Sequence, residues 1–300
     1  MTHVAPIALF CYNRLGHTQR TLEALQANEL ASESDLWIFS DGPRLQDDIL
    51  KVEALRSYLR TITGFSAVYL VERSDNMGLA ASIISGVSRI CDRFGRVIVV
   101  EDDLITAPFF LRFMNEALEM YAETEEVVSI HGYVFPAPKP LPETFFLKGA
   151  DCWGWATWKR GWKVFNPDGA ALLEQLESRG LTREFDFNNS MRYTQMLREQ
   201  IAGKVNSWAI RWYASAFLDN KLTLYPGSSL VQNIGHDGSG VHCASSNAFD
   251  VRVAQEMPHL QKLPPIESPA GRDAFENYFI SQKRQSLKLK IKKFFFGNGC

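Results

Sequence analysis

Nowhere in this 300-residue chain do about 18 consecutive apolar residues occur, the length a membrane-spanning helix needs. No segment is therefore expected to cross a bilayer. Met1-Thr2-His3-Val4-Ala5 has no basic stretch ahead of an apolar run, so no secretion signal is expected either. Cysteine is scarce. The five residues Cys11, Cys91, Cys152, Cys243 and Cys300 show no C-x-x-C spacing, which argues against a structural zinc site or a disulfide framework and for a reducing, cytoplasmic setting. Positive charge is not in excess: the formal net charge is −2, and the body of the chain lacks the basic footprint of a nucleic-acid binder. Also missing is a G-x-G-x-x-G turn after the first apolar run, where Cys11-Tyr12-Asn13-Arg14-Leu15-Gly16 stands instead. That excludes the usual dinucleotide or methyl-donor cradle.

What is present is enough apolar material, 46% of residues, to build a sizeable core. The first half alternates apolar runs with segments of helical period, the pattern of a mostly parallel α/β sheet with covering helices. Strands are predicted at Val4–Phe10, Asp35–Ser40, Ala67–Val71 and Arg96–Val100. Helices are predicted at Thr18–Leu25, at Gln46–Ile62 with Ile49, Val52, Leu55, Leu59 and Ile62 on one face, and at Leu79–Phe94 with Ile83, Val87, Ile90, Cys91 and Phe94 on one face. A further helix begins near Pro108 with Phe110, Phe113, Met114, Ala117, Leu118 and Tyr121 as its stripe. From residue 135 a proline-rich connection leads into an irregular half dense in tryptophan. Three parts are expected: a donor-binding half (1–134), an acceptor-binding half of the same domain (135–257), and an extended connection with a peripheral basic helix (258–300).

In an open α/β sheet, ligands sit outside the carboxyl ends of the strands. Here those ends present Arg14, then Asp41-Gly42, then Asn76-Met77-Gly78, then Glu101-Asp102-Asp103. Three adjacent carboxylates repel one another and resist burial unless something compensates them. A hard divalent cation, Mn²⁺ or Mg²⁺, that bridges diphosphate oxygens is the natural partner. A solvated turn ahead of the Pro108 helix is the plainer alternative for the tripeptide. Asp41 equally suits an Asx turn before Gly42-Pro43, or a hydrogen bond to a nucleobase or ribose. Gly78 lets backbone approach a nucleotide closely, with Asn76 beside it.

Phe10-Cys11-Tyr12-Asn13-Arg14, Phe39-Ser40-Asp41-Gly42, Asn76-Met77-Gly78-Leu79 and Val99-Val100-Glu101-Asp102-Asp103-Leu104 resemble, in that order, the donor-site motifs of GT-A glycosyltransferases. They are most similar to the N-acetylglucosaminyltransferase I group and its bacterial family 2-like relatives, in which a strand likewise runs into E-D-D-L before a Pro-Phe-Phe helix start. The likeness covers residues 4–120 well and the tryptophan-rich part more loosely. It implies a metal-dependent, inverting enzyme moving sugar from a UDP-sugar or other nucleotide-sugar to a glycan or lipid-linked saccharide, in surface polysaccharide or glycan synthesis. It further implies that Asp103 is the metal ligand, that Glu101 and Asp102 contact donor sugar and ribose, and that Arg14 and Asp41 hold the uridine.

The second half is expected to supply the acceptor side. Trp153, Trp155, Trp158, Trp208 and Trp212 offer flat faces for sugar C–H groups, or else belong to the core. Trp208-Ala209-Ile210-Arg211-Trp212 resembles the segment that carries the catalytic aspartate in that group, yet Ala209 and Ile210 stand in its place. The candidate general bases are therefore Asp151, beside Trp153-Gly154-Trp155, and Asp237. The run Gly235-His236-Asp237-Gly238-Ser239-Gly240 reads as a closing loop, with His236 completing the metal shell. In the tail, Lys283, Arg284, Lys288, Lys290, Lys292 and Lys293 alternate with Leu287, Leu289, Ile291 and Phe294–Phe296, a pattern suited to peripheral contact with the inner face of an anionic membrane. A non-catalytic sugar-nucleotide or glycan-binding protein is the rival reading.

Overall fold

Ile7–Cys11 (β1) is an unbroken apolar run buried along its whole length, as a strand covered on both faces requires. The computed structural model describes residues 4–136, 140–238 and 248–296, with side chains as far as residue 285. After β1 come α1 (Leu15–Gln26), β2 (Asp35–Ser40), α2 (Ile49–Leu59), β3 (Ala67–Glu72), α3 (Leu79–Phe94), β4 (Arg96–Glu101), β5 (Leu104–Thr106), α4 (Phe110–Met120) and β6 (Val127–His131). The second half adds β7 (Thr144–Lys148), β8 (Trp155–Trp158), α5 (Lys159–Trp162), α6 (Gly169–Ser178), α7 (Thr182–Phe185), α8 (Tyr193–Ile201), α9 (Ala209–Leu218), β9 (Leu222–Pro226), β10 (Val231–Asn233) and α10 (Pro269–Phe296). Among the described residues no helix is long and apolar enough to cross a membrane.

Eight strands form one sheet in the order β3-β2-β1-β4-β8-β6-β9-β7. β3, β2, β1 and β4 pair in parallel, β8 runs antiparallel to both β4 and β6, β9 is parallel to β6, and β7 is antiparallel to β9. Only β8 and β7 therefore oppose the common direction, and the fold is the mostly parallel, helix-covered α/β sheet that the sequence pattern predicts. A separate two-stranded ribbon pairs β5 with β10, Leu104 opposite Asn233 and Thr106 opposite Val231.

Helix α3 shows how tightly local sequence dictates the frame. Ile83, Val87, Ile90 and Cys91 are buried at helical spacing, while Phe94, expected on the same face, is exposed at the helix end. Gly95 then takes a left-handed φ of 79° and donates its N–H to Cys91 O at 2.9 Å. A side chain there would strain the backbone. β4 starts at the next residue, so the chain reverses with no slack.

Two expectations are corrected here. The tryptophans expected to form an acceptor platform are mostly core: Trp155 and Trp212 are fully buried, and Trp208 is 2% exposed. Trp155 stacks on Trp208 at 5.5 Å and leans on Trp212 at 5.9 Å, with Trp162 packed on Trp212 at 5.3 Å. Trp208 and Trp212 lie one helical turn apart and face inward together, so both rings pack on Trp155. Trp158 is buried as well, its indole N–H donating to Leu118 O and Arg160 stacked over its ring. Nor is the last helix wholly peripheral. It begins at Pro269, inside the segment expected to be extended, and buries Phe275, Tyr278 and Phe279. These three residues at helical spacing pack on Phe135, a stripe that the basic residues following it obscure. The tail's side chains from Leu287 onward, and Ser239 and Gly240 of the glycine-rich run, lie outside the described residues.

Candidate functional site

The parallel strands β2, β1 and β4 deliver their carboxyl ends side by side. At the end of β2, the buried Asp41 carboxylate accepts N–H bonds from Gly42 (3.1 Å), Met77 (2.9 Å) and Gly78 (2.9 Å). Asn76 Nδ2 donates to Gly42 O at 2.8 Å. Arg56 ties the same corner by donating to the carbonyls of Ser40, Asp41 and Arg73. Asp41, Asn76 and Gly78 are thus brought together, and most of the Asp41 hydrogen-bonding capacity shapes the loop that opens α3. Beside them, Tyr12 and Asn13 both donate to Asp48, at 2.7 and 3.0 Å.

Glu101 ends β4, next to β1, and Asp102 and Asp103 follow it. Arg14, directly after β1, places one guanidinium nitrogen on both Asp102 and Asp103, the latter at 2.8 Å. Burial opposes the Arg14 charge, but the two aspartates outweigh it and raise its pKa. One cation is not enough for three carboxylates. Burial, with Asp103 and Asp102 adding to it, pushes Glu101 up to about 8, and burial pushes Asp102 up to about 6 against the pull of Arg14. Among the described residues the cluster is short of compensating positive charge.

The β5–β10 ribbon returns the chain over these carboxylates. Ile234 N donates to Asp103 O at 2.8 Å, and Gly235 lies so close that a Cβ there would overlap the Asp103 carboxylate. Two residues on, Asp237 meets His17 Nε2 of α1 at 3.1 Å, which occupies one of the two predicted bases. The His236 ring packs between Trp153 (5.4 Å) and Phe249 (4.9 Å), and its Nε2 is buried without a hydrogen-bond partner among the described residues.

Asp151 approaches from the other half through the antiparallel strand β8. Because Trp155 pairs with Val99, the residues just before β8 lie beside those just after Val99. Both Asp151 and the Glu101–Asp103 cluster act on the intervening Cys152, whose thiol is pushed up by burial first and then by Asp151, Glu101 and Asp103. Asp151 Oδ1 accepts from Cys152 N at 2.8 Å, and the side chain keeps 29% of its surface exposed. Trp153 alone among the predicted acceptor tryptophans is partly exposed, its ring edge-on to Tyr133 at 4.7 Å.

The clustered carboxylate oxygens are of the hard kind that a divalent cation takes. No three His, Cys, Asp or Glu side chains group to chelate an ion among the described residues. Asp103 could offer a cation one hard oxygen, and the rest of a coordination shell would have to come from outside these side chains. Three side chains of the site carry no motif signal: Asp48, His17 and His131 stand alone in the sequence, and only the folding of distant segments joins them to Tyr12, Asp237 and Asp151.

No protein-family model and no curated protein matches the chain. Among solved structures it is similar to TarS of S. aureus, at 13% identity and a TM-score of 0.31 over 48% of this chain. It spans about a quarter (24%) of that protein and 58% of the TarS 1–349 structure, to which it is similar at 9% identity and a TM-score of 0.38 over 75% of its own length. It is also similar to the mannosyltransferase PcManGT from Pyrobaculum calidifontis in complex with GDP-Man and Mn²⁺, at 11% identity and a TM-score of 0.38, over 72% of this chain and 69% of that one.

Proposed function

We propose that the chain is a GT-A-type glycosyltransferase, related to the N-acetylglucosaminyltransferase I group. In this reading it binds a nucleotide-sugar, a UDP-sugar first, at the carboxyl ends of β1, β2 and β4. The sugar passes with inversion to a glycan or lipid-linked saccharide, in surface polysaccharide or glycan synthesis in the cytoplasm. The observation that carries this is the half-compensated Arg14–Glu101–Asp102–Asp103 cluster at the ends of central parallel strands, covered by the Gly235 loop. Asp103 would hold Mn²⁺ or Mg²⁺. When bound, the cation supplies neutralisation of the charge that develops on the leaving diphosphate. Glu101 and Asp102 face the donor sugar and ribose, and Arg14 and Asp41 hold the uridine end. Asp151 takes the proton of the acceptor hydroxyl, and Trp153 offers a flat face to the acceptor ring.

The test is to incubate the protein with UDP- and GDP-linked hexoses and Mn²⁺ and to follow nucleoside diphosphate release with and without saccharide acceptors. Release that falls at least about 100-fold in Asp103→Asn supports the reading. Donor binding by calorimetry with no turnover on any acceptor would leave the non-catalytic binding protein in its place. Peripheral membrane contact through the basic end of α10 belongs to the same proposal. Sedimentation with anionic vesicles should drop when Lys288, Lys290, Lys292 and Lys293 are changed to Gln, and equal sedimentation of the two forms would remove it.

A further inference from the structure

His131 closes β6 deep in the sheet and is fully buried, yet neither ring nitrogen has a hydrogen-bond partner among the described residues. Burying a polar atom without a partner is costly, so an imidazole with two orphaned nitrogens is a poor choice for packing alone. Its ring is held edge-on by Tyr225 at 5.1 Å. The nearest charged group is the Asp151 carboxylate, with Oδ2 at 3.6 Å from Nε2. That separation is about 0.6 Å beyond a good hydrogen bond. Of the two groups, Asp151 is the one free to close it: it lies in the loop before β8 and is partly exposed, while His131 is fixed in a strand. Catalytic hydrogen bonds are often long before substrate binds and tighten in the complex.

We propose that His131 is the positioning residue for Asp151, donating from Nε2 to Asp151 Oδ2 while the Cys152 N–H holds Oδ1. The inference deepens the proposed transfer reaction and rests on Asp151 being its base. With one donor on each oxygen, the carboxylate is fixed in rotation, and a remaining lone pair is directed at the acceptor hydroxyl. The proton leaving that hydroxyl ends on Asp151. His131 stays neutral throughout, because its buried site disfavours an imidazolium. The titratable groups that face the pair are Tyr133, Tyr193, Tyr225 and Cys152, all of them held above their ordinary range chiefly by burial. Among the described residues, Asp151 is the carboxylate that acts on His131.

Two measurements separate the failure of this idea from the failure of the transfer reaction. In the first, kcat and its pH profile are compared for the native protein, Asp151→Asn, His131→Phe and His131→Gln. The native-like volume of Phe keeps the packing, and the Gln amide can restore a donor near the Nε2 position. The expected result is a loss of about 10-fold or more in kcat for His131→Phe with donor KM unchanged, a pH profile that differs from the native protein's, and partial rescue in His131→Gln. Transfer surviving in Asp151→Asn overturns the base assignment and this inference with it. Transfer lost in Asp151→Asn but unchanged in rate and pH profile in His131→Phe overturns this inference alone. The second measurement needs no turnover: nitrogen NMR of the His131 ring should show the Nε2–H tautomer, with a resonance that shifts in Asp151→Asn. An Nδ1–H tautomer indifferent to that substitution would overturn the positioning role even if no donor or acceptor is found.

Discussion

Glu101 carries the sharpest consequence of the electrostatics at the strand ends. Its folded-state pKa of about 8 lies above its ordinary value of 4.5, so the folded protein keeps a proton that the unfolded chain releases. The stabilising contribution is full below about 4.5 and is lost as pH rises through about 8. Glu101→Gln, which keeps the shape but cannot ionise, should therefore flatten the decline in urea midpoint between pH 5 and pH 8. An unchanged slope would show that the burial of Glu101 is relieved in solution. The sequence displays this chemistry openly, since three consecutive carboxylates after an apolar strand announce a charge problem. What it hides is the partner list. Arg14 is 87 residues away from Glu101 in the chain and stands one strand over only because β1 pairs with β4, and His131 meets Asp151 only because β8 enters between β4 and β6.

At the scale of elements, the β5–β10 ribbon decides what covers the carboxylate cluster. It presses Gly235 onto Asp103 with no room for a Cβ. Gly235→Ala must push the loop outward, so donor affinity measured by calorimetry should fall by about 10-fold, or about 1.4 kcal/mol, while the melting temperature changes little. A donor affinity equal to the native protein's would mean the loop takes no part in binding. Elements with strong local signals were legible in advance: β2 and α3 run between the residues that the apolar pattern marks, Asp35–Ser40 and Leu79–Phe94. The ribbon was not, because Leu104–Thr106 and Val231–Asn233 are three residues each and gain their order only by pairing across more than a hundred residues. The tryptophans misled for a related reason. An indole in a loop-rich half suits a sugar platform or a core equally well, and only the inward face shared by Trp208, Trp212 and Trp155 chooses the core.

Taken whole, the molecule does not divide where its sequence texture changes. The proline-rich connection after residue 135 separates two kinds of sequence, but β8 from the second kind is the sheet neighbour of β4 from the first. A fragment of residues 1–134 would leave β4 as a bare apolar edge, with Val97, Ile98, Val99 and Val100 all buried in the intact sheet. Size-exclusion chromatography should find that fragment aggregated, and a soluble monomer with native-like circular dichroism would contradict this. The insertion of β8 also sets a timetable. During synthesis β1 to β4 emerge first, yet β4 waits some fifty residues for β8 and Asp103 waits longer still for Gly235, so the carboxylate cluster and the apolar edge of β4 are exposed together in the nascent chain. The mutual repulsion of Glu101, Asp102 and Asp103 at the tip of that edge would hinder two unfinished chains from pairing there, giving the carboxylate cluster a protective role before it has any ligand to bind.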